Sequence, residues 1–157
     1  MLIDNACDYI ITKMTEGQDS LNNIKLQKLL YYVQAWYLAF NGKALYEKDE
    51  NFQAWVHGPV SRTIYDRFLT TKSLYSDITY EDIREEFDLS TLDKKELEHI
   101  DTVLELYGKF SGTELENMTH EEDPWIKARE GYRPSQRCEV ELDNIEVQTY
   151  YASRLSD

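Results

Sequence analysis

Apolar residues in the stretch 23–40 fall on almost every side of a helix, and this pattern is typical of a buried helix rather than a surface one. Four polar residues fill two narrow seams between two apolar stripes, and we expect each to find a hydrogen-bond partner or to reach water. The seam residues are Lys25, Gln27, Lys28 and Gln34. The stripes consist of Leu26, Leu29, Leu30, Val33, Tyr37 and Phe40 on one face, and of Ile24, Tyr31, Ala35 and Leu38 on the other. The pattern therefore predicts a central helix at about 22–41 that is covered on both sides.

The rest of the chain predicts further helices and one small hairpin. Helical spacing indicates a first helix that ends near Thr15, a short acidic helix at 79–87, a longer one at 93–108, another from Ser111, and a terminal helix or extended arm at 142–155. Alternating residues at 52–57, preceded by a charged turn, predict a β-hairpin at about 45–57. The predicted fold is mainly α, a compact helical domain around the central helix, with a single domain over 1–157.

The end of the predicted hairpin leads directly into a Gly-Pro pair. Alternation places Trp55 and His57 opposite Ala54 and Val56. A glycine followed by a proline is a common helix start signal, so a third helix is expected to begin there and to include Val60. Three elements are therefore expected to meet near His57.

Charge is distributed unevenly along the chain. The net charge is −13, and residues 1–75 hold eight basic and eight acidic side chains, so the excess lies in 76–157, with nine basic and twenty-two acidic ones. Such a surface repels phosphate backbones and attracts basic partners, which disfavours direct nucleic-acid binding. The simpler alternative is that the carboxylates only keep the protein soluble.

The sequence contains no catalytic signature. It has no P-loop, no GxGxxG, no HExxH and no nucleophile motif, and its two cysteines lack ligand spacing. Residues 120–123 (HEED) carry side chains that ligate metals, but a solvated acidic turn is the favoured interpretation. No stretch of eighteen apolar residues or basic leader occurs, so we expect a cytoplasmic protein that is not an enzyme and has no cofactor, metal or membrane partner.

Aromatic residues are abundant, with twelve Tyr, three Trp and five Phe. Most are expected to lie in the core, but Tyr and Trp are also enriched at protein interfaces. The corner after the hairpin is the predicted partner-binding site because it gathers aromatic and arginine side chains around a helix start. Its residues are Trp55, His57, Gly58, Pro59, Arg62 and Tyr65.

Three segments together resemble the SocA-like antitoxins, a family also described by its Panacea domain or as phage-associated proteins. They are residues 25–36 (KLQKLLYYVQAW), residues 54–60 (AWVHGPV) with Tyr65, and residues 111–115 (SGTEL) with the pairs at 119–120 and 124–125. The resemblance covers about residues 5–130. It implies a mostly helical, non-enzymatic domain that neutralises a cognate protein toxin by contact, and one member of the family delivers its toxin to a AAA+ protease.

The sequence thus predicts a cytoplasmic antitoxin that binds a toxin and either blocks it or delivers it to a protease. The alternative is an acidic nucleic-acid mimic, or a phage accessory protein, that binds a host DNA-handling enzyme. An adjacent reading frame that is toxic when expressed alone distinguishes the first hypothesis from the second.

Overall fold

The computed structural model describes residues 1–156. Its helices and strands are, in chain order, α1 (Ile3–Glu16), α2 (Asn23–Asn41), β1 (Gln53–Trp55), β2 (Gly58–Val60), α3 (Arg62–Phe68), α4 (Lys94–Tyr107), α5 (Gly112–His120), α6 (Asp123–Ala128) and α7 (Asn144–Ser153). Short 3-10 turns lie at Tyr80–Asp82, Leu89–Thr91 and Arg154–Ser156. The predicted fold class, mainly α with one small hairpin, is confirmed.

Helix α2 is the centre of the fold, as the sequence predicts. The side chain of Asn22 caps its first turn by accepting from the amide of Lys25 at 2.9 Å, and Gly42 ends it in the left-handed conformation with φ 69°. Helices α1, α4, α5 and α7 all pack against it. Leu29 on one stripe and Ile24 on the other are fully buried, so burial of both faces is confirmed.

Phe40 is the exception to the predicted stripe. Its side chain is 59 % exposed because it lies in the last turn of α2, where only the rings of Trp36 and His99 approach it, with centroids 6.0 and 6.3 Å away.

The four polar seam residues of α2 are buried and tie the helix to loop backbones, which confirms their predicted enclosure. Each one bonds a different stretch of the chain. Lys25 Nζ donates to the Gly108 carbonyl (2.6 Å), Gln27 exchanges two bonds with the Ser61 backbone (2.8 and 3.2 Å), Lys28 Nζ donates to the Pro59 carbonyl (2.9 Å), and Gln34 Oε1 accepts from the amides of Leu45 and Tyr46 (2.9 and 3.2 Å).

The hairpin forms later in the chain than predicted. Strand β1 pairs with β2 in antiparallel register, with Gln53 opposite Val60 and Trp55 opposite Gly58. Pro59 therefore lies in a strand, and the prediction that it opens the third helix is wrong. That helix begins at Arg62, because the side chain of Ser61 caps it by accepting from the amide of Ile64. The predicted first strand around Leu45 is replaced by a loop that Gln34 holds.

The predicted acidic helix at 79–87 is also wrong, since only the 3-10 turn Tyr80–Asp82 forms there. Ile83 already has extended backbone, with ψ 135°. The next residue explains the break. The guanidinium of Arg84 reaches the buried carboxylate of Asp8 at 2.6 Å, and Arg67 pairs with the same carboxylate at 2.5 Å. This network holds residues 82–84 flat against α1.

Residues 129–142 fold back onto the hairpin. Arg129 is buried and donates to the carbonyl oxygens of Ala54 at 2.9 Å and Gln136 at 2.6 Å. The amide of Ala54 in turn donates to the carbonyl of Val140 at 2.7 Å, on the outer edge of β1. Helix α7 follows, so of the two alternatives for 142–155 the helix is the one that forms. Within residues 1–156, no helix combines the length and apolarity needed to cross a bilayer.

Candidate partner-binding site

A tight turn sets the geometry of the predicted corner. Val56 and His57 form the two-residue loop between the strands, and Gly58 closes it with φ 99°, a conformation that favours glycine. A Cβ at Gly58 would lie 2.7 Å from Lys28 Cε and 2.8 Å from Thr119 Oγ1. The hairpin therefore approaches α2 and α5 as closely as it does only because residue 58 is glycine.

Two aromatic rings and one guanidinium form a compact group beside this turn. The rings of Trp55 and Tyr65 meet edge to face with centroids 4.7 Å apart, and the guanidinium of Arg62 lies 5.8 and 5.5 Å from them. Arg62 is further held by Glu139 at 3.1 Å. Trp55 and Tyr65 are half-buried and Arg62 is exposed, so the group is both ordered and accessible.

These side chains line an open cavity of about 530 Å³. One side is the first turn of α2, another is the hairpin with α3, and a third is the loop after α3. A far wall comes from Ser135, Arg137, Cys138 and Glu139. A cavity of this size, with aromatic side chains and several polar and charged groups in its lining, has the character of a binding site.

The structure divides the six predicted site residues into two groups. Trp55, His57, Arg62 and Tyr65 line the cavity. Gly58 and Pro59 are buried and shape the corner through their backbone instead. The imidazole of His57 is turned toward α5, where its Nδ1 lies 3.1 Å from a carboxylate oxygen of Glu116.

Lys28 also lines the cavity, although the sequence predicts a structural hydrogen-bond partner for it rather than a binding role. It is 1 % exposed, and this burial lowers the pKa of its ammonium to about 7, against the opposing effect of the Glu116 carboxylate. Sequence reasoning did signal it as an enclosed polar residue. It missed the wall at 135–139 entirely, because no local pattern predicts that Arg129 brings those residues to the hairpin.

The segment at 120–123 is not a solvated acidic turn, so that interpretation is wrong for two of its residues. His120 stacks on Trp125 with centroids 4.1 Å apart, and burial lowers its pKa. Glu122 accepts hydroxyl hydrogens from Tyr32 at 2.8 Å and Tyr151 at 2.7 Å, and burial raises its pKa. In the part of the chain that is described, no three His, Cys, Asp or Glu side chains converge as a metal site.

One carboxylate of the acidic segment 79–87 reaches the cavity lining. Asp82 pairs at 3.2 Å with Lys72, which lines the cavity, while Glu81, Glu85 and Glu86 are exposed. Asp82 also accepts from the amide of Thr79 at 2.8 Å, so its carboxylate is engaged within the fold.

Comparison with known proteins gives one family. The family model described as "Antitoxin SocA-like, Panacea domain" matches residues 26–126, which include α2 from Leu26 onward, the hairpin, α3, α4 and α5. No curated protein and no solved structure matches the chain. The far wall of the cavity at 135–139 lies outside the matched range.

Proposed function

This chain belongs to the SocA-like antitoxin family that is defined by the Panacea domain, and we propose that it neutralises a cognate protein toxin by binding it directly. The observation that carries the proposal is the family match. It extends over nearly two thirds of the chain and includes the cavity residues of the hairpin, of α3 and of the loop after α3, together with Gln27 and Lys28 of α2. Neutralisation by contact needs no chemistry from the antitoxin, so we propose a non-catalytic role.

We place the toxin at the cavity beside Trp55, Arg62 and Tyr65. Tryptophan, tyrosine and arginine are the residues that most often dominate binding energy at interfaces. Here the three side chains already contact one another, so little conformational entropy remains to be lost when a partner covers them. The neighbouring carboxylates of Glu81, Glu85 and Glu86 are proposed to steer a basic toxin toward this face.

Co-expression tests the proposal. The reading frame next to the gene for this chain is expressed alone and together with the chain, and growth is compared. We expect arrest by the frame alone, rescue by the chain, and co-purification of the two proteins. If rescue requires a AAA+ protease and the half-life of the toxin is shortened, the chain acts by delivering the toxin to that protease.

Two results contradict direct neutralisation. One is a toxic reading frame for which the chain rescues growth although the two proteins form no complex. The other is a harmless frame together with a chain that captures a host DNA-handling enzyme, which favours the acidic-mimic alternative.

A further inference from the structure

The cavity differs in charge from the rest of the molecule. Four basic residues line it against one carboxylate, that of Glu139, although the chain as a whole has a net charge of −13. The four basic residues are Lys28, Arg62, Lys72 and Arg137. Lys72 already pairs with Asp82 at 3.2 Å and Arg62 Nε with Asp66 at 3.4 Å, so the attraction for a further carboxylate at contact range comes from the remaining donors of Arg62 and Arg137.

At the mouth of the cavity, two guanidinium groups share one carboxylate oxygen. Arg62 Nη1 and Arg137 Nη2 lie 3.1 and 3.0 Å from the same Oε1 of Glu139. An arginine has five N–H donors and often binds a carboxylate through two of them. The pair therefore retains donors for a second carboxylate, and the position of Glu139 shows the geometry in which one binds.

Lys28 lies deeper and is 1 % exposed, with its Nζ donating to the Pro59 carbonyl at 2.9 Å. Burial lowers its pKa to about 7, so it attracts a carboxylate less strongly than the two guanidinium groups at the mouth.

The cavity lining also includes apolar and aromatic side chains. Trp55 and Tyr65 stand beside Arg62, and Phe68 and Leu74 line the cavity as well. A large apolar side chain fits this surface, since edge-to-face aromatic contacts and buried apolar area both stabilise it.

We propose that the cavity receives an acidic and apolar segment of the partner protein. An Asp or Glu of that segment binds the guanidinium groups of Arg62 and Arg137 at the mouth, and an adjacent large apolar side chain packs on Trp55 and Tyr65. The inference rests on the proposed function, because it assigns the chemistry of the toxin segment that docks there. A basic segment is disfavoured because it would bring a further cation to this pair of arginines. The carboxylates of Glu81, Glu85 and Glu86 attract a basic toxin from a distance, whereas the cavity binds a group in direct contact. A toxin that is basic overall therefore still needs one acidic segment for this contact.

Peptide display tests the chemistry without knowledge of the toxin. A random twelve-residue library is selected on the full-length chain at about 150 mM salt. We expect the bound peptides to be enriched in Asp or Glu next to Leu, Phe or Trp. The best peptide and its Asp→Asn or Glu→Gln twin are then compared by fluorescence anisotropy. The twin should bind at least about tenfold more weakly, which corresponds to about 1.4 kcal/mol.

Variants of the chain test whether the peptide binds in the cavity. Arg62→Glu changes an exposed side chain and is expected to weaken the acidic peptide at least about tenfold. Lys95→Glu makes the same charge change on α4, outside the cavity, and should leave binding unchanged. Arg137→Glu changes the other guanidinium of the pair and should weaken the acidic peptide without affecting its amide twin.

Four outcomes overturn the inference. They are enrichment of Lys or Arg in the selected peptides, equal binding of the twins, equal effects of Arg62→Glu and Lys95→Glu, and a dimer in light scattering that Arg62→Glu dissociates. The last identifies a second copy of this chain as the occupant. None of the four affects the co-expression result, so the inference and the proposed function fail independently.

Discussion

The ammonium of Lys28 donates to the carbonyl oxygen of Pro59 at 2.9 Å, and this bond joins the buried centre of α2 to the second strand of the hairpin. The close approach depends on Gly58, whose missing Cβ leaves room for the lysine stem. The hairpin corner, the wall of the cavity and the core of the fold therefore share one contact. Changes at this contact test how the site is supported.

Gly58→Ala is expected to lower the free energy of unfolding by about 2–5 kcal/mol. About 1–2 kcal/mol comes from a non-glycine residue in the left-handed region, and about 1–3 from the clash with Lys28 and Thr119. Gly131→Ala is the matched control, because Gly131 has φ 89° but a Cβ added there would meet nothing within 4 Å, so only the backbone cost applies. Urea denaturation of both variants measures the difference. Equal losses of unfolding free energy in the two variants would show that contact with Lys28 adds no cost at position 58.

Lys28→Met tests the buried ammonium through pH. The pKa of Lys28 is lowered to about 7 in the folded chain, whereas the unfolded chain keeps the ordinary value of 10.5. Between pH 7 and 9 the unfolded state therefore binds more protons, and stability rises with pH by up to about 1.4 kcal/mol per unit. We expect the stability of the wild type to rise relative to Lys28→Met across this window, and to run parallel with it below pH 6. Subtracting the two curves removes the effects of groups that both proteins share. A constant difference from pH 6 to 9 contradicts the prediction.

Gln27→Leu is expected to destabilise the fold while partner binding of the folded fraction is retained. The side chain accepts from the Ser61 amide at 2.8 Å and donates to the Ser61 carbonyl at 3.2 Å, and both backbone groups are buried. Leucine leaves the Ser61 amide without a partner, at a cost of about 1–3 kcal/mol, whereas the Ser61 carbonyl still accepts from the amide of Tyr65 at 2.9 Å. Thermal unfolding measures the loss. A Gln27→Leu variant that melts like the wild type but no longer neutralises the toxin would assign Gln27 to the interface instead.

The sequence predicts α2 because the determinants of this helix are local. The apolar stripes, Asn22 and Gly42 act within a few residues of the helix ends they define. The predicted position of the hairpin is wrong because its determinants are not local. A Gly-Pro pair is a valid helix start, but Gly58 closes a strand turn here, because α2 and α5 lie against it and Ser61 supplies the helix cap.

The composition of the site was predicted only in part for the same physical reason. Trp55, Arg62 and Tyr65 are close in sequence, so alternation and helix spacing bring them together. The far wall depends on Arg129, which bonds Ala54 from a position 75 residues away along the chain. No periodicity encodes such a tertiary bond. The same holds for Arg84 and Asp8, whose pairing replaces the predicted acidic helix with extended chain.

Trp55→Ala and Arg62→Ala are expected to weaken toxin binding at least about tenfold, mainly through faster dissociation. Both side chains belong to the aromatic group that a partner would cover. Arg133→Ala removes an exposed arginine outside the cavity lining and serves as the control. Surface plasmon resonance gives the rates, and circular dichroism establishes that each variant is folded. A folded Trp55→Ala variant that binds at wild-type strength excludes this corner as the docking site.

The acidic surface is expected to affect association rather than dissociation. Replacing Glu81, Glu85 and Glu86 with Gln removes three exposed charges beside the cavity and leaves Asp82, which pairs with Lys72, in place. Rim charges mainly change the association rate and its dependence on salt, so the triple variant should associate more slowly at low salt and show a flatter salt dependence. The control replaces Glu98, Glu105 and Glu130, which are equally exposed and do not line the cavity. Stopped-flow mixing at two salt concentrations compares the two triple variants. If both associate alike, net charge alone governs the encounter and these three carboxylates do not steer the toxin.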